Sequence, residues 1–324
     1  MEILLDRRAF LQAAALPALT PARSRASRWP DRPVKIVVPF PPGSAGDAIP
    51  RAIAARLQAQ WGEACVIDNR PGAAGAIGAG LVARAEPDGH TLLSHSSAIA
   101  IRPHVAATPY DVLADFVPVT QTVAGSYVLL VHPDFPAASL QQWLQVVRRR
   151  PGRFSYGSYG SGSGPHLAME LLKERARLYI LHVPYRGAAP ALQDLLAGRI
   201  DMAFDTTFAG VPQVRAGRLR ALAVGGLQPV DALPGVPTIA SLFGGFDTDG
   251  WQGIFAPAGT PPGRVRQLQG DVAAALRDPA LARQVADLGF RLAAAHPEAF
   301  RPLLERDFRR WGDVVRRRGI RADG

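Results

Sequence analysis

The sequence predicts an α/β protein of two lobes, on three observations. Short apolar runs alternate with segments of helical periodicity through the first two thirds of the chain. Long amphipathic helices dominate the last third. The chain has 324 residues, 48% of them hydrophobic. That is too long for one small domain and apolar enough to offset the entropy of ordering.

Val34-Lys35-Ile36-Val37-Val38 reads as a buried strand, and Ile49, Ile53, Leu57 and Trp61 then recur every four residues, as one helix face requires. Cys65 to Asp68 and Thr91 to Ser94 supply a second and third strand. Tyr127 to Val131, Phe154 to Gly157, Tyr179 to Val183, Ile200 to Phe204 and Leu219 to Val224 continue the series. Helices lie between them, marked by Leu140/Trp143/Leu144/Val147, Leu167/Leu171/Leu172 and Leu192/Leu195/Leu196. Such alternation implies largely parallel sheets covered by helices on both faces. Val265/Leu268/Val272/Leu276 and Phe300/Leu304/Phe308/Trp311/Val315 mark the C-terminal helices, with little strand between them. These helices are expected to return to the first lobe. Residues 27–125 then begin that lobe, 126–249 form the second, and 250–324 are the return. Hinge crossings are expected near Val123 to Tyr127 and near Asp247 to Trp251.

Residues 1–26 read as an export signal. Asp6-Arg7-Arg8-Ala9-Phe10-Leu11-Gln12 precedes a short apolar stretch, Ala13 to Leu19, and paired arginines before Phe-Leu point to the twin-arginine variant. Ser24-Arg25-Ala26 offers small residues where a signal peptidase reads, so the mature chain would begin at Ser27. Pro17 and Pro21 argue against an ordinary amphipathic helix there. The expected location is the bacterial periplasm.

The net charge is +10, and only Lys35 and Lys173 among the 37 basic residues are lysines. The densest runs, Arg148 to Arg150 and Arg316 to Arg318, fall at the ends of predicted helices, where cations complement the dipole and stay solvated. Nucleic acid is therefore not an expected partner, whereas a positive field draws small anions. The lone Cys65 excludes a disulfide scaffold and reads as a small core residue.

Two turns share one design. Phe40-Pro41-Pro42-Gly43-Ser44-Ala45-Gly46-Asp47 joins the opening strand to the opening helix. Tyr156 to His166, with glycines at 157, 160, 162 and 164, also joins a strand to a helix. Each leaves backbone N–H groups pointing out of a helix N-terminus, where the dipole favours an anion. The bland alternative is a capping box of Ser44 with Asp47 and an ordinary Gly-Ser connector. Two such turns, one in each lobe, favour an anion held between lobes. No phosphate-loop lysine follows either turn, so carboxylate is the expected group.

Lys35 to Asp47 (KIVVPFPPGSAGD), Asp68 to Gly78 (DNRPGAAGAIG) and Pro87 to Leu93 (PDGHTLL) resemble the periplasmic substrate-binding proteins of tripartite tricarboxylate transporters, the TctC or Bug-like family. Asp115 to Val119, Ser158 to Leu167, His182 to Gly198, Leu233 to Thr238 and Trp251 to Pro261 extend the resemblance over the whole mature chain. It implies a type II periplasmic-binding fold, two hinged lobes around a ligand cleft. It also implies capture of an organic anion by backbone amides of the two turns, often through ordered water, for delivery to a membrane permease pair. The chain departs from the pattern at Gly43-Ser44, where Gly-Gly is usual, at His90 in place of Tyr, and at Arg102-Pro103-His104-Val105. Ser44 could add a hydroxyl donor.

The expected ligand-binding residues are Gly43, Ser44, Ala45 and Asp47 from the first lobe, with Ser94 and Ser97 from the turn after the third strand. The second lobe would supply Ser158, Ser161, Ser163 and His166, with Asp205 and Thr206 at the C-terminal edge of its sheet. Asp205 would accept from an amino or hydroxyl group of the ligand, or merely cap the next helix. Arg186 would pair with a distal carboxylate. Trp251 lines the cleft or packs the lobe junction.

Gly78-Ala79-Gly80-Leu81-Val82-Ala83 fits a dinucleotide pattern, but its strand ends near Asp68, too far upstream. The serines lie outside a G-x-S-x-G elbow, His166 and His182 read as polar packing residues, and no His pair has metal-ligand spacing on a helix face. No catalytic residue, cofactor or metal is expected. The expected partners are a small organic acid (a di- or tricarboxylate, an acidic amino acid or an aromatic acid) and the permease subunits, for a monomeric receptor. The alternatives are a sensory protein signalling to a membrane kinase, or an enzyme acting on such an acid.

Overall fold

Residues 29–287 and 289–321 are described in the computed structural model, and the expected signal, residues 1–26, lies outside them. The first lobe opens with β1 (Val34–Val38), α1 (Ala45–Trp61), β2 (Cys65–Asn69), α2 (Ala76–Ala83), β3 (Thr91–Ser96) and α3 (Ala98–Val105). β1 pairs in parallel with β2 and β3. Ile49, Ile53 and Leu57 bury the inner face of α1, and Gly62 ends the helix in the left-handed conformation that glycine adopts without strain. β4 (Phe116–Gly125) then leads through Ser126 alone into β5 (Tyr127–Val131) of the second lobe.

The second lobe continues with α4 (Leu140–Arg149), β6 (Ser155–Ser158), α5 (Gly164–Ala176), β7 (Leu181–Pro184), α6 (Ala188–Leu196), β8 (Met202–Thr206), α7 (Thr207–Arg215) and β9 (Arg220–Val224). Its sheet has the order β7-β6-β8-β5-β9. The chain returns through β10 (Gly250–Pro257), α8 (Pro262–Leu276), α9 (Pro279–Asp287), β11 (Phe290–Ala295) and α10 (Pro297–Arg318). The first sheet is then complete in the order β11-β4-β10-β3-β1-β2.

Both sheets are mixed, which corrects the expectation of largely parallel ones. β10 runs antiparallel to β3 and β4, β11 antiparallel to β4, and β5 antiparallel to β8 and β9. The last third also contains two strands where little strand was expected. The parallel pairs come from strand–helix–strand units, whereas each crossing strand enters its sheet reversed. The β4–β10 register shifts beside Pro118, which has no N–H for the ladder.

The C-terminal helix spans the lobe junction. α10 is 22 residues long, about 33 Å, and it serves both cores. Phe300 and Leu304 pack with Trp251 and Phe255 in the first lobe, and Gly253 admits Phe300 because a Cβ there would meet the ring at 2.3 Å. Trp311, Val314 and Val315 join the core that holds Leu167 and Leu171 of the second lobe together with Ile101 and Val105 of α3. Trp251 donates its indole N–H to buried Asp307 at 2.8 Å, so it is a junction packing residue.

At the end of α10, Arg318 Nε donates to Glu170 Oε2 at 2.9 Å, Tyr156 donates to Oε1 at 2.8 Å, and Lys173 also pairs with this carboxylate. Burial alone would raise the Glu170 carboxyl, but these donors outweigh it and hold it down at about 2. Stability from Glu170 is thus full above its ordinary value near 4.5 and is lost as pH falls from there toward 2. Glu170→Gln should cost about 3 kcal/mol at pH 7 and much less at pH 3, as urea unfolding at the two pH values would measure.

Candidate ligand-binding site

The first turn is built around Asp47. Its Oδ2 accepts from Gly43 N at 2.9 Å and Arg51 Nε at 3.1 Å, and its Oδ1 from Arg51 Nη2 and Asn69 Nδ2, both at 2.8 Å. Asn69 Nδ2 also donates to Phe40 O at 3.0 Å, which ties the turn to the end of β2. Burial would raise the Asp47 carboxyl, but the hydrogen bonds and the Arg51 charge prevail and lower it. Asp47 therefore shapes the turn and has no free capacity to receive a ligand. Ser44 caps α1 by position only, since its hydroxyl donates to Pro41 O at 2.7 Å. Half of the expected capping box survives, moved one residue back to Gly43. Helix geometry leaves the Ala45 and Gly46 N–H groups without an intrahelical acceptor.

The second turn is held by histidine rather than carboxylate. Gly160 and Gly162 have φ of 115° and 79°, which favour glycine. Gly162 N donates to His166 Nδ1 at 2.9 Å, which makes that nitrogen an acceptor. The His166 ring stacks on His182 at 3.9 Å, and His182 on Tyr156 at 4.8 Å. Ser158 Oγ lies 2.7 Å from His182 Nε2 and accepts from Gly160 N at 3.2 Å. Ser158 and His166 thus brace the loop from beneath. Ser163 stands at the N-cap of α5, and its Oγ has neither a cap bond nor another hydrogen-bond partner among the described residues. Ser161 is half-buried on the same turn.

β6 and β8 are parallel neighbours, so Asp205 and Thr206 lie at the same sheet edge as this turn. Thr206, not Asp205, caps α7, accepting from Ala209 N at 3.4 Å. Asp205 Oδ1 accepts from Thr206 N at 2.7 Å and from the Tyr159 hydroxyl. Burial pushes the Asp205 carboxyl up to about 6 despite these bonds. The Tyr127 phenol is raised as well, by burial and then by the Asp205 charge. A Cβ on Gly164 would fall 2.0 Å from Tyr127 Oη, so this hydroxyl covers the N-terminus of α5.

Of the remaining expected residues, Ser94 lies inside β3 opposite Ile254, not in the turn after it. Ser97 caps α3 by position and is buried, and its N–H donates to Trp251 O at 2.9 Å. Arg186 is exposed and makes no ion pair among the described residues. The two lobes meet beside the second turn, where a Cβ on Gly162 would lie 2.7 Å from Val105 of α3. Sequence reasoning missed Tyr127 and Tyr159, whereas His182, read as a polar packing residue, packs between Tyr156 and His166. The only local signal was that each flanks a strand end already identified.

Two α/β lobes joined by short crossings, each aiming helix N-termini from the C-terminal edges of its strands, define a hinged solute-binding receptor. The chain belongs to the tripartite tricarboxylate transporter receptor family, TctC, whose pattern it matches over residues 49–320. This is a family of periplasmic solute-binding receptors, not of enzymes. The chain is 40% identical to a protein from the tcbD–tcbE intergenic region of Pseudomonas sp. (strain P51), over 96% of this chain and 94% of that one. It is 34% identical to BugT of Bordetella pertussis, over 91% and 92%. Among solved structures, an R. palustris protein with adipate shares 34% identity at a TM-score of 0.84, over 90% of this chain and 99% of that one. MatC from Rhodopseudomonas palustris with bound malate shares 32% at 0.76, over 88% and 99%. Among the described residues no helix is long and apolar enough to cross a membrane.

The raised Asp205 carboxyl fixes a sign. Its contribution to stability is full below the ordinary value of 3.8 and is lost as pH rises toward about 6. Asp205→Asn should therefore gain on the wild type as pH rises from 4 to 7.5, by about 2 kcal/mol. Denaturant midpoints at both pH values would measure it.

Proposed function

We propose that the mature chain is a periplasmic receptor that closes its lobes on a small organic acid and delivers it to the permease pair of a tripartite transporter. The observation that carries this reading is the pair of pre-shaped helix N-termini, α1 braced by Asp47 and α5 braced by His166. The amides of Ala45 and Gly46 would take one carboxylate, with Gly43 and Ser44 shaping their approach. Ser163 Oγ and the α5 amides would take the other end of the ligand. Ser97, Ser161, Tyr127, Tyr159 and Thr206 would line the cleft, and Asp205 would act through Tyr159. Adipate and malate in the two related structures support a dicarboxylate. Closure would turn about Ser126 and the return near Asp249, whose carboxylate accepts from the Ser126 hydroxyl and from Arg291 at 3.0 Å. The ligand would stabilise the closed form by its differential affinity for it. Export by the twin-arginine route and a monomeric state complete the proposal.

A thermal-shift screen of refolded residues 27–324 against organic acids tests the reading. A cognate acid at 100 times its dissociation constant should add about 2.7 kcal/mol. Ser163→Ala should weaken that binding without lowering the ligand-free melting temperature. Silence across dicarboxylates, tricarboxylates, acidic amino acids and aromatic acids would defeat the carboxylate assignment.

A further inference from the structure

The second lobe carries a concentrated basic corner remote from the cleft. α4, α5 and α10 end side by side: Arg148 Nη2 donates to Ala176 O at 3.3 Å, Arg317 pairs with Glu174 at 3.4 Å, and Arg318 pairs with Glu170. Around these ends stand Arg148 to Arg150, Arg153, Arg175, Arg177 and Arg316 to Arg318, every one of them exposed. The carboxylates nearby are few and committed. Glu170 is buried, Glu174 and Asp313 each hold one arginine, and Asp201 accepts from Ser155 N at 2.8 Å. One or two cations complement a helix C-terminus, so nine guanidinium groups at three ends exceed that need. Tyr179 and Leu181 adjoin the arginines on the β7 edge, 62% and 46% exposed, and Tyr179 O accepts from Gly152 N between Arg150 and Arg153.

We infer that this corner docks the receptor on an anionic phospholipid bilayer. Guanidinium groups pair bidentately with phosphate, and an exposed Tyr and Leu beside them suit the headgroup boundary. The three helices present carbonyl ends, so no cradle of N–H groups selects a single bound phosphate. A field spread over three helix ends matches a charged surface. The inference rests on the periplasmic reading above, which puts a bilayer rather than nucleic acid within reach. α5 has its N-terminus at the ligand turn and its C-terminus in the patch, 13 residues away, or about 20 Å. A docked receptor therefore holds its cleft off the membrane, open to solute.

Co-sedimentation of the ligand-free mature chain with vesicles tests this independently of any ligand. Phosphatidylcholine vesicles containing phosphatidylglycerol should bind the protein, pure phosphatidylcholine vesicles should not, and binding should vanish in high salt. The variant Arg149→Gln/Arg150→Gln/Arg175→Gln should lower partitioning by about fivefold per arginine, while its melting temperature stays at the wild-type value. Equal sedimentation with both vesicle types, or wild-type binding by the triple variant, would overturn the proposal. So would competition by soluble poly-glutamate as strong as that of the anionic vesicles, which would assign the corner to an acidic protein. Vesicle binding without any acid-induced shift would leave the docking surface standing and remove the carboxylate reading alone.

Discussion

Asp47 commits both carboxylate oxygens within its own lobe, and the turn from β1 to α1 depends on that commitment. One backbone N–H and two side chains converge on one buried anion: Gly43 from the turn, Arg51 from the next helical turn, and Asn69 from β2, which also holds Phe40. Remove the anion and the Gly43 N–H loses its acceptor, while the Asn69 amide and the Arg51 guanidinium keep only Phe40 O and Asn69 Oδ1. Gly43 and Asp47, on either side of Ala45 and Gly46, are held to each other. A receptor that binds as proposed, through backbone amides, would need this, since it would have no side chain whose rotamer can correct a misplaced loop.

The second turn solves the same problem differently. Its brace is the stack of Tyr156, His182 and His166, with Gly162 N donating to an imidazole. Below that stack Tyr156 continues to Glu170, and Glu170 to Arg318 of α10. The loop that would meet the ligand is therefore linked through hydrogen bonds and ring contacts to a helix whose other half lies in the opposite core. That arrangement gives the lobes a connection beyond the two short crossings.

Legibility followed local pattern. β1 and β5 were readable to the residue because each is a short run rich in β-branched and other apolar residues, broken only by Lys35, and α1, α4 and α10 because their apolar spacing repeats. β4, β10 and β11 were not. Pro118 and Pro257 argue locally against strands, Gly250 and Gly253 weaken β10, and Phe290 to Ala295 has little periodicity on an edge. Their strand character comes from partners distant in sequence. At the site, glycine spacing disclosed both turns but not the division of labour within them. That Asp47 is occupied depends on Asn69, 22 positions away, and that Asp205 faces Tyr159 depends on a separation of 46. Ser44 looked like a donor for the ligand because its nearest acceptor, Pro41 O, is supplied by a turn shape that sequence alone does not specify.

β10 occupies the middle of the first sheet, between β3 and β4. Both neighbours precede it by more than a hundred residues of chain, and the second lobe is synthesised in between. During synthesis the second sheet, drawn from residues 127–224 without interruption, can assemble on its own. The first must wait with an open seam between two strands that already exist. Its closure is a late and strongly non-local event in building this molecule. A nascent chain halted before Gly250 would hold one assembled sheet and one unpaired pair of strand edges, a species that invites chaperones and aggregation rather than export.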